Sequence, residues 1–346
     1  MKMSFRWYGK DDPVTLEKIR QIPGVEGIVS SVYDIPPGKV WPRARIRELS
    51  ERISKSGLSL SVIESVPVPE EVKMGSYNRD ELIDNYCQTL INLARENIEV
   101  VCYNFMPVFD WTRTQLNYRL SDGSQTLFYQ QQEIEKINPR AGELDLPGWD
   151  TSYEKEELSE LLAFYHNFSR EQLWDSLQYF LKKIIPVAEE VGIKMAIHPD
   201  DPPWSIFGLP RIITGEKSIE RLLKMVDSTV NGITLCVGSL GVDPQNDPVW
   251  LIERFSDRIH FAHLRNIKII GEKDFYETAH LSCEGSLDMY EIMKALFKTG
   301  FDGPLRPDHG RMIWGEEGKP GYGLYDRALG TAYLNGILEV LQRRDI

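Results

Sequence analysis

Two periodicities alternate along most of this chain. Short apolar runs bounded by turn residues recur at Met3–Tyr8, Gly27–Val32, Leu58–Ser65, Ile98–Phe105, Lys194–His198, Gly232–Val237, Arg258–His263 and Pro304–Arg306. Each reads as a strand. Between them, apolar residues fall at helical spacing, as Ile46, Leu49 and Ile53 do after Pro42 and before the closing Gly57. Asp12 followed by Pro13 reads as a cap and first turn opening a helix to about Ile22. Further helices are predicted over Arg79–Asn97 behind Asn78, and over Ser169–Val191, Ser218–Val226, Asp247–Phe255, Ser286–Lys298 and Tyr325–Leu341.

Strands that alternate with helices from end to end imply a parallel sheet. Eight such units in one chain point to α/β class and a closed (β/α)8 TIM barrel. A doubly wound sheet is the alternative, but no glycine-rich phosphate loop follows the first strand. The rhythm breaks once, from Met106 to about Ser169, in a stretch rich in Gln, Asn, Asp and aromatics with one helix around Glu154–Tyr165. A long excursion inside a compact domain is usually a lid, a binding loop or a subunit contact. The expectation is one barrel domain over 1–346 with an insertion, 106–169, after strand four, and a hairpin-like stretch at Asn266–His280.

Composition narrows the function classes. A net charge of −12 with no Lys/Arg block argues against a nucleic-acid surface. No run of eighteen apolar residues predicts a membrane helix, and the N-terminus turns polar too early for a signal-peptide core. Four widely spaced cysteines (Cys87, Cys102, Cys236, Cys283) do not suggest a disulfide framework, so a reducing cytoplasm fits best. A homo-oligomer is possible, with the excursion as a contact.

The chemistry gathers at the ends of the late strands. Strand five runs into His198, strand six into Cys236, strand seven into His263, and strand eight into Pro307-Asp308-His309-Gly310. The carboxyl ends of barrel strands form one rim, so these groups can converge. Two imidazoles, a thiolate and a carboxylate make a reasonable shell for a divalent cation. A lone strand histidine is commonly a hydrogen-bonded core residue, and a lone cysteine a small buried hydrophobe. Four ligand types at four successive strand ends are poorly explained that way. Cys87, Cys102, Cys283 and His260 are read as structural, His260 because the strand period of two puts it opposite His263. His309, next to Asp308, should point elsewhere, toward a substrate on the metal. Tyr322 sits between Gly321 and Gly323, free to approach a ligand. Arg265 and Arg306 are candidate clamps for a substrate carboxylate; rim salt bridges are the equal alternative.

The passages RWYGKDDPV, HPDDPPWSIFGLPRI, LCVGSLGV, DRIHFAHLR, RPDHG and GKPGYG resemble the mannonate dehydratases of hexuronate (glucuronate) catabolism, over nearly the whole chain. That resemblance implies a xylose-isomerase-like barrel binding Mn²⁺ or Fe²⁺ that removes water from D-mannonate to give 2-keto-3-deoxy-D-gluconate. It implies metal ligation by His198, Cys236, His263 and Asp308, and proton transfer by His309 and Tyr322. All six positions match, whereas the stretch from about Gln130 to Glu160 carries little of the pattern.

The residues agree with such chemistry on their own terms. A metal stabilises charge building on the acid oxygens when the neighbouring proton leaves. A base must take that proton and an acid must protonate the departing hydroxyl. His309 suits either role; the reading here leans to His309 as base and Tyr322 as acid. By ligand softness alone the metal shell suits Zn²⁺ or Fe²⁺, whereas the resemblance implies Mn²⁺ or Fe²⁺. The rival readings are a metal-dependent aldose–ketose isomerase, which a cysteine ligand fits poorly, and a non-catalytic sugar-acid binder.

Overall fold

The computed structural model describes residues 1–137 and 155–344. Twelve strands are present among them: β1 (Lys2–Arg6), β2 (Gly27–Ser30), β3 (Ser59–Glu64), β4 (Val100–Tyr103), β5 (Gln115–Arg119), β6 (Gln125–Tyr129), β7 (Lys194–Ile197), β8 (Asn231–Cys236), β9 (Ile259–His263), β10 (Ile267–Gly271), β11 (Asp274–Glu277) and β12 (Pro304–Arg306). Eight of them close a parallel barrel in the order β1-β12-β9-β8-β7-β4-β3-β2. These are the eight apolar runs, so the (β/α)8 expectation holds. Closure joins the two ends of the chain: Lys2 pairs with Pro304 and Met3 with Leu305.

The helices are α1 (Leu16–Arg20), α2 (Arg43–Lys55), α3 (Glu70–Met74), α4 (Arg79–Ala94), α5 (Gln131–Lys136), α6 (Lys155–His166), α7 (Arg170–Val191), α8 (Glu216–Met225), α9 (Val237–Gly241), α10 (Pro248–Phe255), α11 (Met289–Lys298) and α12 (Tyr325–Arg344). Local chemistry explains their ends. Ser169 and Gln172 form a reciprocal capping box at the start of α7, and Gly192, in left-handed backbone at φ 76°, ends it. Asp247 and Asp288 cap α10 and α11 through backbone N–H groups.

Asp12 does not cap a helix. Its carboxylate accepts from the backbone N–H groups of Tyr8 and Val14 in a local turn, and Thr15 caps the shorter α1. Near the expected excursion helix, α6 begins at Lys155; Glu154 lies outside the described residues.

The barrel interior is filled by side chains from several strands: Val29, Val62, Val100, Cys102, Ala196 and Phe261 form one buried cluster. A much larger apolar layer packs between the strands and the helices around them. Along β9, Phe261 and His263 share a face, their rings meeting edge-on at 4.5 Å. His263 therefore stands on the interior layer, at the mouth of the barrel.

The excursion after β4 carries a hairpin, β5–β6, turned by Ser121-Asp122-Gly123-Ser124. It joins the hairpin β10–β11 in a separate antiparallel sheet, ordered β10-β11-β6-β5. That sheet leans on the loop after β12, where Gln125 and Met312 exchange backbone hydrogen bonds of 3.0 and 2.8 Å.

Candidate metal and proton-transfer site

Period and strand ends bring the late-strand residues together. His198 follows β7, Cys236 and His263 end β8 and β9, and Asp308 lies two residues beyond β12. One ligand atom from each of His198, Cys236 and His263 falls within 4.8 Å of the other two. Asp308 stands beside this trio, its Oδ2 3.6 Å from Cys236 Sγ and its Oδ1 3.9 Å from His263 Nδ1. Its backbone is left-handed at φ 64°, which aspartate tolerates better than most residues. This turn lets both Asp308 and His309 face the centre, with His309 Nε2 3.8 Å from Asp308 Oδ1.

The histidine hydrogen bonds say which ring nitrogens carry protons. His198 Nδ1 lies 2.7 Å from the Pro199 carbonyl, which can only accept, so its Nε2 holds the lone pair. That Nε2 faces His263 Nδ1 at 3.2 Å. The other nitrogen of His263 makes no hydrogen bond, with the Glu64 carboxylate 3.6 Å away, while the Arg306 guanidinium, which can only donate, lies 3.5 Å from Nδ1. The His198 lone pair thus points at the second imidazole beside a thiol, with no protein oxygen between them. A thiolate with two imidazoles is a cation-binding donor set, and the Pro199 carbonyl already selects the ligating tautomer of His198. The residues fit a divalent metal.

Around the trio runs a chain of alternating buried charges. Arg6 meets Glu64 at 3.3 Å, and Arg306 bridges Glu64 at 2.9 Å and Asp308 at 2.6 Å. Arg265 bridges Asp308 at 2.5 Å and Asp201 at 2.7 Å, and Arg113 bridges Asp201 at 2.9 Å and Glu277 at 2.8 Å. Four carboxylates thus face four guanidinium groups. Burial by itself would raise the Asp308 carboxyl, but Arg306, His309 and Arg265 outweigh it and hold it well below the usual range. Glu64 behaves likewise: burial raises it, and Arg306, His263 and Arg6 bring it well down. Arg265 and Arg306 therefore face protein carboxylates in this structure.

The chain ends in the proton-transfer candidates. Glu277 Oε1 lies 2.7 Å from His309 Nδ1, and His309 Nε2 lies 2.7 Å from the Tyr322 hydroxyl. Tyr322 is brought there by the glycine-flanked loop, which pairs with the His309 loop through Gly310 N–H to the Gly321 carbonyl at 2.9 Å. Gly321 is needed: its φ is 79°, and a Cβ there would lie 2.7 Å from Leu127. Burial pushes the Tyr322 phenol up to about 12, so it keeps its proton at neutral pH. A cavity of about 630 Å³, lined in part by Ser65, Asn104, Asp110, Trp111 and Lys319, lies behind two neighbours of this pair. Trp111 meets the His309 ring edge-on at 5.5 Å, and Lys319 Nζ lies 5.5 Å from the Tyr322 ring centre.

Several participants escaped the sequence reading. Glu64 ends β3 and Arg6 ends β1, so the strand-end rule, applied to the early strands too, would have flagged both. Asp201 sits in the proline-rich loop after β7, inside the passage HPDDPPWSIFGLPRI, where the sequence reading gives it no role of its own. Arg113 and Glu277 lie in the two excursions that form the second sheet, beyond any barrel rule. Of the residues read as structural, Cys102 and His260 are buried, Cys87 is half-buried and Cys283 exposed; all four cysteines are free.

Comparison with known proteins agrees across the full length. The family model described as D-mannonate dehydratase (UxuA) matches residues 1–345. A mannonate dehydratase of Streptococcus uberis is 59% identical over 343 residues, covering 99% of each chain. The crystal structure of mannonate dehydratase from Streptococcus suis serotype 2 superposes with a TM-score of 0.90 at 51% identity, covering 100% of this chain and 94% of that one. D-psicose 3-epimerase from Clostridium cellulolyticum H10 (TM-score 0.56, 13% identity, 99% of each chain) shares the barrel fold alone.

Proposed function

The chain belongs to the D-mannonate dehydratase family of carbon–oxygen hydro-lyases, and on that premise we propose that it converts D-mannonate to 2-keto-3-deoxy-D-gluconate and water in hexuronate (glucuronate) catabolism. His309 and Tyr322 move the protons in this reading. The observation that carries it is the 2.7 Å contact between His309 Nε2 and the Tyr322 hydroxyl, beside a set of converging metal-ligand atoms.

His198, Cys236 and His263 would hold the cation, with Asp308 next to them as the fourth ligand. When bound, a divalent ion there supplies Lewis acidity to the substrate carboxylate, stabilising charge that develops as the adjacent C–H bond breaks. We assign Mn²⁺ or Fe²⁺ to this role. Fe²⁺ satisfies both the soft thiolate and the family resemblance, and Zn²⁺ binds by the same softness without being the working ion.

Charge bookkeeping favours an anionic substrate. The alternating carboxylates and guanidinium groups are formally balanced, so a dication with one thiolate leaves a single positive charge. A substrate carboxylate neutralises it. Arg265 and Arg306 would contact that carboxylate only by sharing guanidinium protons with Asp308, Asp201 and Glu64.

In the elimination, His309 takes the proton from the carbon bearing the carboxylate. Tyr322, held protonated by burial, gives its proton to the hydroxyl leaving the next carbon, and the hydroxyl departs as water. The enol that remains gains a proton at the deoxygenated carbon and loses its hydroxyl proton to become the ketone. His309 and Tyr322 then exchange their surplus across the 2.7 Å hydrogen bond, which restores both.

The test is product identity. Protein loaded with Mn²⁺ and given D-mannonate should yield a 2-keto-3-deoxy acid with one water lost. An isomeric acid that keeps its water would refute the dehydration. A His309→Ala variant that binds metal normally and still turns over at the original rate would refute the proton-transfer assignment.

A further inference from the structure

Among the four carboxylates of the ion-pair chain, Glu277 is the one that no barrel strand or barrel loop end carries. It ends β11 in the second sheet, where Phe275 pairs with Tyr129 and Tyr276 with Phe128 of β6. Its own carbonyl accepts from the Thr126 hydroxyl at 2.7 Å. The same strand β6 is tied through Gln125 to Met312, three residues beyond His309. The hairpin of the excursion thus braces both Glu277 and the loop that bears His309.

The Glu277 carboxylate is 1% exposed and its contacts are directional. Oε1 accepts from His309 Nδ1 at 2.7 Å and from Arg113 Nη2 at 2.8 Å. Arg113 is in turn fixed by both oxygens of Asp201, at 2.9 and 3.1 Å. Its segment is held by the Thr112 N–H, which donates to the Asp201 carbonyl at 3.1 Å. An ionised carboxylate has no proton to offer, so the proton of this contact belongs to His309 Nδ1. Nε2 of the neutral ring then carries the lone pair, facing the Tyr322 hydroxyl and the centre. Without an acceptor at Nδ1, the ring is free to hold its proton on Nε2, where it can no longer act as a base.

We propose that Glu277 is the positioning residue for His309, fixing its ring orientation and its Nδ1–H tautomer, with Arg113 as the anchor of Glu277. This rests on the reading of His309 and Tyr322 as the proton-transfer pair. It also gives the β5–β6 hairpin a role, as the buttress of a residue that the barrel needs.

The experiment compares Glu277→Ala and Glu277→Gln with the parent protein and with His309→Gln. Arg113 Nη2 donates to the same oxygen as Nδ1, which keeps the glutamine oxygen facing both, now without charge, so kcat should fall by less than in the alanine variant; alanine removes the acceptor and should cost roughly 10²-fold or more. KM and metal content should stay within about twofold in both, by the same argument that only transition-state positioning is lost. Nitrogen NMR of the histidine side chains in Zn²⁺-loaded, diamagnetic protein should show His309, assigned by the signal missing in His309→Gln, protonated at Nδ1 in the parent and in Glu277→Gln. Glu277→Ala should show the Nε2–H form. Glu277→Ala that keeps the parent kcat or the Nδ1–H form overturns the inference, as does a loss accompanied by lost metal. Should Glu277→Ala fail to fold, Glu277→Gln at full kcat is the overturning result. His309→Gln that still turns over would instead sink the underlying assignment of the pair.

Discussion

His260 offers a quantitative check on the strand geometry, independent of catalysis. It lies on β9 on the face opposite His263 and is 5% exposed, with no hydrogen-bond partner at Nε2. Burial lowers its pKa to about 4, and Lys194 and Arg258 push the same way. The unfolded chain should titrate it near the ordinary value of about 6.5. Below that value the unfolded state takes up a proton that the folded state refuses. Stability is therefore fully present above about pH 6.5 and is lost as the pH falls toward about 4. A shift of this size corresponds to about 3 kcal/mol in full, of which roughly 2 kcal/mol is lost between pH 7.5 and pH 5. His260→Gln cannot take up the proton. Urea unfolding of both proteins across that range should give a free-energy profile flatter by roughly 2 kcal/mol in the variant. Parallel profiles would refute the argument, because they would mean that His260 is protonated equally in the folded and unfolded chains.

Three further outcomes follow from the site. Tyr322→Phe should lower kcat by about 10² to 10⁴ with metal content unchanged, since it removes one proton carrier and no ligand; steady-state kinetics with elemental analysis decides, and a normal kcat contradicts it. Gly238→Ala would press a methyl against Arg265 Nε and Cγ, while Asp308 and Asp201 hold that guanidinium in place. Overpacking of this kind should cost about 1–3 kcal/mol in urea unfolding, and unaltered stability would contradict the contact. Dialysis against a chelator should abolish turnover of D-mannonate, with Mn²⁺ or Fe²⁺ restoring it; activity that survives complete metal removal would contradict the cation's role.

The barrel was legible because its signal is local. Each strand is a short apolar run closed by Gly, Pro or a polar turn, and each helix between carries its own spacing or cap. Even β12, three residues long, is marked by the Pro304 and Pro307 that bound it. The late half of the site followed from one geometric rule, that parallel barrel strands end on the same rim. What escaped depends on contacts between remote segments. Asp12 reads as a helix cap by its neighbour Pro13, yet in the fold its carboxylate is better used closing the turn from Tyr8 to Val14. The β5–β6 hairpin had a signal, Asp122-Gly123, of the kind that turns tight hairpins, obscured by the irregular composition around it. Glu277 and Arg113 had none: they lie 164 residues apart and meet only because β6 and β11 pair. Nor does any local pattern say that Arg265 and Arg306 would each straddle two protein carboxylates, because Glu64, Asp201 and Asp308 come from three separate strand ends.

The central claim is that one cation is shared by groups from β7, β8, β9 and the turn after β12. Anomalous scattering at the manganese edge, from crystals of the protein grown with Mn²⁺, tests it most directly. A single strong peak within bonding distance of His198 Nε2, Cys236 Sγ and His263 Nδ1, with an Asp308 oxygen beside it, is the predicted result. A peak bound elsewhere, or none at this centre in protein that dehydrates D-mannonate, would contradict the account.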